Sequence, residues 1–166
     1  IGRIIVSDSI KNTSKQAVSQ LKQMGLHTVM LTGDKEKNAE AVGKMINIDD
    51  IKGDLIPDEK LAEMNKLRKQ YGSIMFIGDG INDAPVLAGA DIGGAMQNGS
   101  DIAIEAADAV FMNSEPIAVV SAKKIADTTQ HIAYQNIFFA LGVKALVIIL
   151  GILGHPNMWL AVFADS

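Results

Sequence analysis

Charge is spread very unevenly along this chain. Of 34 charged side chains, 32 lie within the first 133 residues, and the 33 residues 134–166 carry only Lys144 and Asp165. A run so poor in charge is not a solvated face, so the chain divides into a polar portion and an apolar tail. Residues 134–153 number 20, which as a helix is enough to cross a hydrocarbon layer of ~30 Å. Residues 154–157 (GHPN) read as a turn, and residues 158–164 as the start of a second span running back. The helix leading into the first span is expected to begin near Glu115, with Lys123 and Lys124 on its polar side, as a cytoplasmic start requires. A buried helix of a soluble protein is the competing reading of the same stretch. Lys144 lies about ten residues from either end of the span, too deep to snorkel easily, and charges at that depth tend to mark ion paths or mutual pairs.

The polar portion alternates in period. Short β-branched or apolar runs at 3–6, 27–31, 51–55, 73–77, 91–96 and 108–112 read as strands. Between them, helical spacing appears at 13–24 (Ala17, Val18, Leu21, Met24), at 35–46 (Ala39, Ala41, Val42 and Met45 inward), at 57–70 (Leu61, Met64, Leu67) and at 101–106. Gly25 stops the first helix, Asn47 suits the left-handed cap of the second, and Pro57 suits the first position of the third. Strand and helix in alternation predict a parallel sheet with helices on both faces, which binds ligands beyond the carboxyl ends of its strands.

The polar motifs fall at those ends. Thr32-Gly33-Asp34 follows the strand ending at Leu31, Gly78-Asp79-Gly80-Ile81-Asn82-Asp83 follows the strand ending at Ile77, and Lys60 sits in the first turn after Pro57. A hydroxyl and free amides after a strand make an anion cradle, and a lysine neutralises a phosphoryl oxygen as a point charge. Two carboxylates four residues apart suit Mg²⁺, which takes one or two carboxylates with water and phosphate. Together they read as Mg²⁺-assisted phosphoryl transfer. Singly, each has a plainer reading: an ordinary turn, a surface lysine, an Asx-capped loop. The loop at 78–83 lacks the spacing of a calcium EF-hand, Asp83 stands where a dinucleotide fingerprint needs its third glycine, and Gly33-Asp34-Lys35 lacks the glycine loop of a Walker A motif.

Composition narrows the remainder. A net charge of −4 disfavours a nucleic-acid scaffold, and 48% apolar residues disfavour disorder. Zero cysteines exclude disulfides and thiolate ligands within this segment. His27, His131 and His155 are too scattered for a metal site, and the methionines follow core positions except Met158 at the membrane edge. Ile1 in place of Met and a stop directly after an apolar run suggest a piece of a longer protein.

LTGD at 31–34, PDEK at 57–60, GDGINDAPVLAGAD at 78–91 and AMQNGSDIAIEAADAVFM at 95–112 resemble the phosphorylation domain of P-type ATPases, over essentially the whole chain. The resemblance implies a haloacid-dehalogenase-like, Rossmann-type parallel sheet followed by C-terminal transmembrane helices. It implies Thr32, Gly33 and Asp34 in the phosphate-binding loop, Lys60 on the phosphoryl group, Asp79 and Asp83 at Mg²⁺, and Gly78, Gly80 and Asn82 in support. Val86 and Gly94 depart from the more usual Ala and Ile. The implied organisation is a partial phosphorylation domain at 1–114, a connecting cytoplasmic helix at 115–133, a span at 134–153 and a truncated second span at 157–166. The DKTGT segment with its aspartate nucleophile is not in this sequence, so no nucleophile is assigned, and a phosphoenzyme cannot form without one. Also missing are the nucleotide-binding and actuator domains and the earlier membrane helices.

QNIFFALGVK and WLAVFAD look like the zinc, cadmium and lead exporters of that family rather than its copper exporters. By that resemblance Asp165 is a carboxylate ligand of the transported ion and Lys144 its built-in counter-ion. The expected function is part of an ATP-driven exporter of Zn²⁺, Cd²⁺ or Pb²⁺, with ATP as substrate, in a bacterial plasma membrane with residues 1–133 cytoplasmic. Its partners are the bilayer, the metal ion and the rest of the ATPase, with no nucleic acid. A soluble haloacid-dehalogenase-type phosphatase and a catalytically silent membrane fragment are the alternatives.

Overall fold

The computed structural model describes residues 10–79, 81–97 and 99–153. The strand expected at 3–6, Gly80, and the second span with Asp165 lie outside the described residues. The chain forms two compact units that meet between Ser121 and Ala122.

In the first unit every strand pairing among the described residues is parallel. Helix α1 (Ser14–Gln23) buries Ala17 and stops before Gly25, whose φ of 79° is open to glycine. Strand β1 (Val29–Leu31) pairs with β2 (Asp50–Lys52), and α2 (Glu36–Ile46) connects them. Asn47 takes the left-handed cap expected of it, with φ 64° and ψ 41°. The inward face of α2 differs from the expectation. Ala39, Gly43 and Ile46 are buried, whereas Met45 is 63% exposed and Val42 also faces out. The cause is close packing at Gly43, where an added Cβ would stand 2.4 Å from Ile51 Cδ1, so the glycine rather than its larger neighbours meets the strand.

Helix α3 (Pro57–Tyr71) starts at its proline, and Glu59 accepts the N–H of Ile56 at 3.1 Å, satisfying one free amide of the first turn. Its Met64 is fully buried. Strands β3 (Met75–Gly78), β4 (Ile92–Met96) and β5 (Ala109–Phe111) form a second sheet in that order. Between β3 and β4 the chain makes a 3₁₀ turn at Ile81–Asp83 and a short helix α4 (Ala84–Gly89), which buries Val86 and Leu87 completely. Helix α5 (Asp101–Glu105) joins β4 to β5 and is capped by Ser100, whose Oγ accepts the N–H of Ala103 at 3.2 Å. The single sheet expected is thus hydrogen-bonded in two pieces, and among the described residues only β4 pairs on both sides.

Helix α6 (Ile117–Ile152) is one uninterrupted element of 36 residues, roughly 54 Å at 1.5 Å per residue. In the first unit its opening turns bury Val119 and Val120, and Lys11 and Thr13 bond to the Ser114 carbonyl and the Glu115 carboxylate just ahead of it. In the second unit the helix is apolar and its large side chains, Phe138, Phe139 and Ile152 among them, are exposed. It is long and apolar enough to cross a membrane, and its most apolar stretch is not buried.

Candidate active site

The Thr32-Gly33-Asp34 turn closes on itself and on the loop ahead of α3. Asp34 N–H donates to Thr32 Oγ1 at 3.1 Å, Leu55 N–H to the Thr32 carbonyl at 3.1 Å, and Asp54 N–H to the Asp34 carbonyl at 2.7 Å. Gly33 lies where a Cβ would come to 3.2 Å of the Leu55 carbonyl. Asp54, with a left-handed φ of 55°, accepts the N–H of Glu36 at 3.0 Å, and so caps α2 from 18 residues downstream. Sequence reasoning passed over Asp54, although an aspartate after Gly53 is a plausible left-handed position. This meshing sets the turn after β1 beside the segment that launches Lys60.

Lys60 reaches the other strand end. Its Nζ lies 2.7 Å from Asp83 Oδ1, with the two side chains 12% and 15% exposed. An added Cβ on Gly78 would stand 3.1 Å from Asp83 Oδ2, so the glycine leaves the carboxylate room against β3. Asp79 is exposed, and among the described residues no ion pair occupies it. Its carbonyl accepts the N–H of Ser100 at 2.9 Å. Asn82 is exposed within the 3₁₀ turn. Thr32-Gly33-Asp34 and the Lys60–Asp83 pair remain separate hydrogen-bonded groups among the described residues.

Arg68 and Asp91 close the back of the loop. Asp91 accepts the N–H of Ile74 at 2.8 Å and Arg68 Nε at 3.0 Å, and these bonds, the backbone one foremost, hold its carboxyl below the usual carboxylate range. Arg68 also donates to the Gly89 carbonyl at 2.6 Å. The 3₁₀ turn and α4 were not anticipated, although Pro85 early in a run of small apolar residues signals a helix start.

Among the described residues no three His, Cys, Asp or Glu side chains gather as a metal site. Asp79 and Asp83 offer carboxylate oxygens, the donor type that a hard cation such as Mg²⁺ takes together with water and phosphate. In the second unit Lys144 lies on α6 among apolar residues.

Parallel strands joined by helices, with Asp79, Asp83, Lys60 and the Thr32–Asp34 turn beyond their carboxyl ends, make an α/β fold of the kind that binds ligands at its strand ends. The haloacid dehalogenase-like hydrolase model matches residues 1–91, and the chain belongs to that family. Within it, the chain is 48% identical over 169 residues to the cadmium, zinc and cobalt-transporting ATPase of Bacillus subtilis strain 168, covering 99% of this chain and 24% of that protein. It is 48% identical over 168 residues to a zinc-transporting ATPase of Synechocystis, with 99% and 23% covered. A crystal structure of a zinc-transporting PIB-type ATPase in the E2.Pi state superposes with a TM-score of 0.89 at 36% identity, covering 95% of this chain and 26% of that one. The chain thus spans about a quarter of the length of the proteins it matches.

Proposed function

We propose that this chain is the phosphate-handling part and the last membrane helices of an ATP-driven exporter of divalent heavy-metal cations, working through an aspartyl-phosphate. The observation that carries the reading is the meeting of Lys60 and Asp83, 2.7 Å apart and 23 residues apart in sequence, at the strand end that also bears Asp79. High identity along the full chain to zinc and cadmium pumps supports it.

In this reading Asp79 and Asp83 hold Mg²⁺, which screens the phosphoryl charge when bound. Thr32 and the amides of Gly33 and Asp34 orient the phosphoryl oxygens, and Lys60 neutralises one of them. Lys60 is held by Asp83 until the phosphoryl group supplies a second anion. Gly78 leaves the Asp83 carboxylate room against the strand, and Gly80 and Asn82 support the same site. The nucleophilic aspartate, the nucleotide-binding and actuator domains and the earlier membrane helices belong to the rest of the protein. The one-sided strands, β1 and β2 of one sheet and β3 and β5 of the other, leave edges on which a further strand can pair. Residues 1–114 form the phosphorylation domain, 115–133 the connecting helix, 134–153 a span and 157–166 the start of another. The protein is integral to a bacterial plasma membrane, with residues 1–133 on the cytoplasmic side, and Asp165 and Lys144 meet the transported Zn²⁺, Cd²⁺ or Pb²⁺.

The coding sequence upstream of Ile1 tests this directly. A DKTGT segment, a nucleotide-binding domain and a Cys-Pro-Cys helix in the same frame support it, and an initiator codon immediately before Ile1 overturns it.

A further inference from the structure

Asp79 is held from the side by the turn that follows β4. After β4 the chain turns at Met96, where Gln97 N–H donates to the Phe111 carbonyl at 2.8 Å and Gly99 N–H to the Met96 carbonyl at 2.7 Å. Ser100 N–H then donates to the Asp79 carbonyl at 2.9 Å, while Ser100 Oγ caps α5. Gly99 passes so close to Asp79 that an added Cβ would stand 3.1 Å from its carbonyl oxygen and 3.3 Å from its Cα, with the Met96 carbonyl at 2.9 Å. All three are backbone atoms, and the hydrogen bonds just described fix both sides. A methyl group there therefore displaces Asp79, the loop, or both.

We infer that Gly99 and the Ser100 amide are positioning residues for the Asp79 carboxylate, setting its place as a divalent-cation ligand through its backbone. This rests on the reading of Asp79 as a cation ligand. The carbonyl of Asp79 is tied to Ser100 and its Cα is backed by Gly99, so the Cα–Cβ bond is aimed by a loop anchored to β5. A cation that keeps near-ideal octahedral geometry tolerates little misplacement of its few carboxylates. Gly99 thus has a conformational use even without a positive φ: it is the residue whose side chain would fill the contact.

The test is a double-mutant cycle read by cation binding. The full chain is placed in the Bacillus subtilis cadmium, zinc and cobalt-transporting ATPase in exchange for its matching segment. Mn²⁺ affinity is measured by electron paramagnetic resonance in the presence of beryllium fluoride, for the parent, D79N, G99A and the double variant, each below its own melting transition. D79N and G99A are each expected to weaken Mn²⁺ binding about tenfold, with the double variant no weaker than D79N, because both act through one carboxylate. If D79N binds Mn²⁺ like the parent, the underlying assignment of Asp79 falls. If D79N weakens binding and G99A does not, or if the two losses multiply, the positioning role of Gly99 falls.

Discussion

Lys60 Nζ lies 2.7 Å from Asp83 Oδ1 in a setting where both side chains are nearly withdrawn from water, at 12% and 15% exposure. The pair bridges the first turn of α3 to the turn after β3, so it joins two motifs that the sequence keeps 23 residues apart. It therefore has two uses, holding the loop against the helix and keeping the lysine beside the phosphoryl position.

Removing one partner leaves the other charge poorly solvated. K60M is expected to destabilise the chain by about 2–3 kcal/mol, since a partly buried carboxylate then has no cation. D83N keeps an acceptor for the ammonium and is expected to cost less, about 1 kcal/mol. Thermal unfolding of the chain in detergent, read by circular dichroism, checks the order. A K60M melt equal to the parent's removes the structural half of this account.

Two glycines test how packing is arranged around the strands. At Gly43 an added Cβ meets the side-chain end of Ile51, at 2.4 Å from Cδ1, which can rotate away. At Gly93 it meets the Leu87 carbonyl oxygen at 2.5 Å, and that backbone belongs to α4 and cannot move alone. G43A is expected to cost about 1 kcal/mol and G93A about 3 kcal/mol or more. Adding I51V to G43A is expected to recover part of the loss, and no substitution of Leu87 to do the same for G93A. Equal melting temperatures for the two single variants would remove the distinction between side-chain and backbone contact.

Local rules made much of this fold readable. Pro57, Asn47 and Gly25 sit where first-turn, left-handed and stop positions place them, because those choices depend on one residue's φ and hydrogen bonds. Met64 is buried for the same local reason, as the centre of an apolar stripe. The face of α2 was misjudged because size alone pointed to Val42 and Met45, while the approach of Ile51 to Gly43 is a tertiary fact. The division into a β1–β2 pair and a β3–β4–β5 sheet was equally invisible, since strand order is not written in spacing. At the site, Lys60 and Asp83 were legible as residue types but not as a pair, Asp54 caps a helix that starts 18 residues before it, and Gly99 acts through backbone atoms that no side-chain pattern announces.

Asp49 carries the clearest pH signature. Its carboxylate lies 2.6 Å from Lys22 Nζ and accepts the N–H and hydroxyl of Thr28 at 3.0 and 2.8 Å. These contacts, the lysine first, hold its pKa down to about 2 from an ordinary 3.8. A depressed acid contributes stability that is complete above the unfolded pKa and is lost as pH falls through the folded one. The chain is thus expected to lose stability between about pH 4 and pH 2 with a slope that D49N flattens. At pH 7, D49N is expected to be the less stable of the two, and the curves to converge near pH 2. Chemical denaturation across this window checks the sign, and parallel curves for parent and variant would refute it.

Lys144 sets stability against function. A cation at the centre of a spanning helix costs about 2.5–3.5 kcal/mol on insertion scales, so the isolated 134–153 span is expected to insert more readily with K144L than without it. If Lys144 and Asp165 serve the transported ion, the same variant loses function. In the exchanged Bacillus subtilis pump, D165A is expected to abolish zinc-stimulated ATPase activity. K144L is expected to alter its zinc dependence. The opposed directions are diagnostic, because a lysine that merely stabilises the helix would make both fall together. Zinc stimulation equal to the parent's in D165A removes that aspartate from the ion path, whatever K144L does.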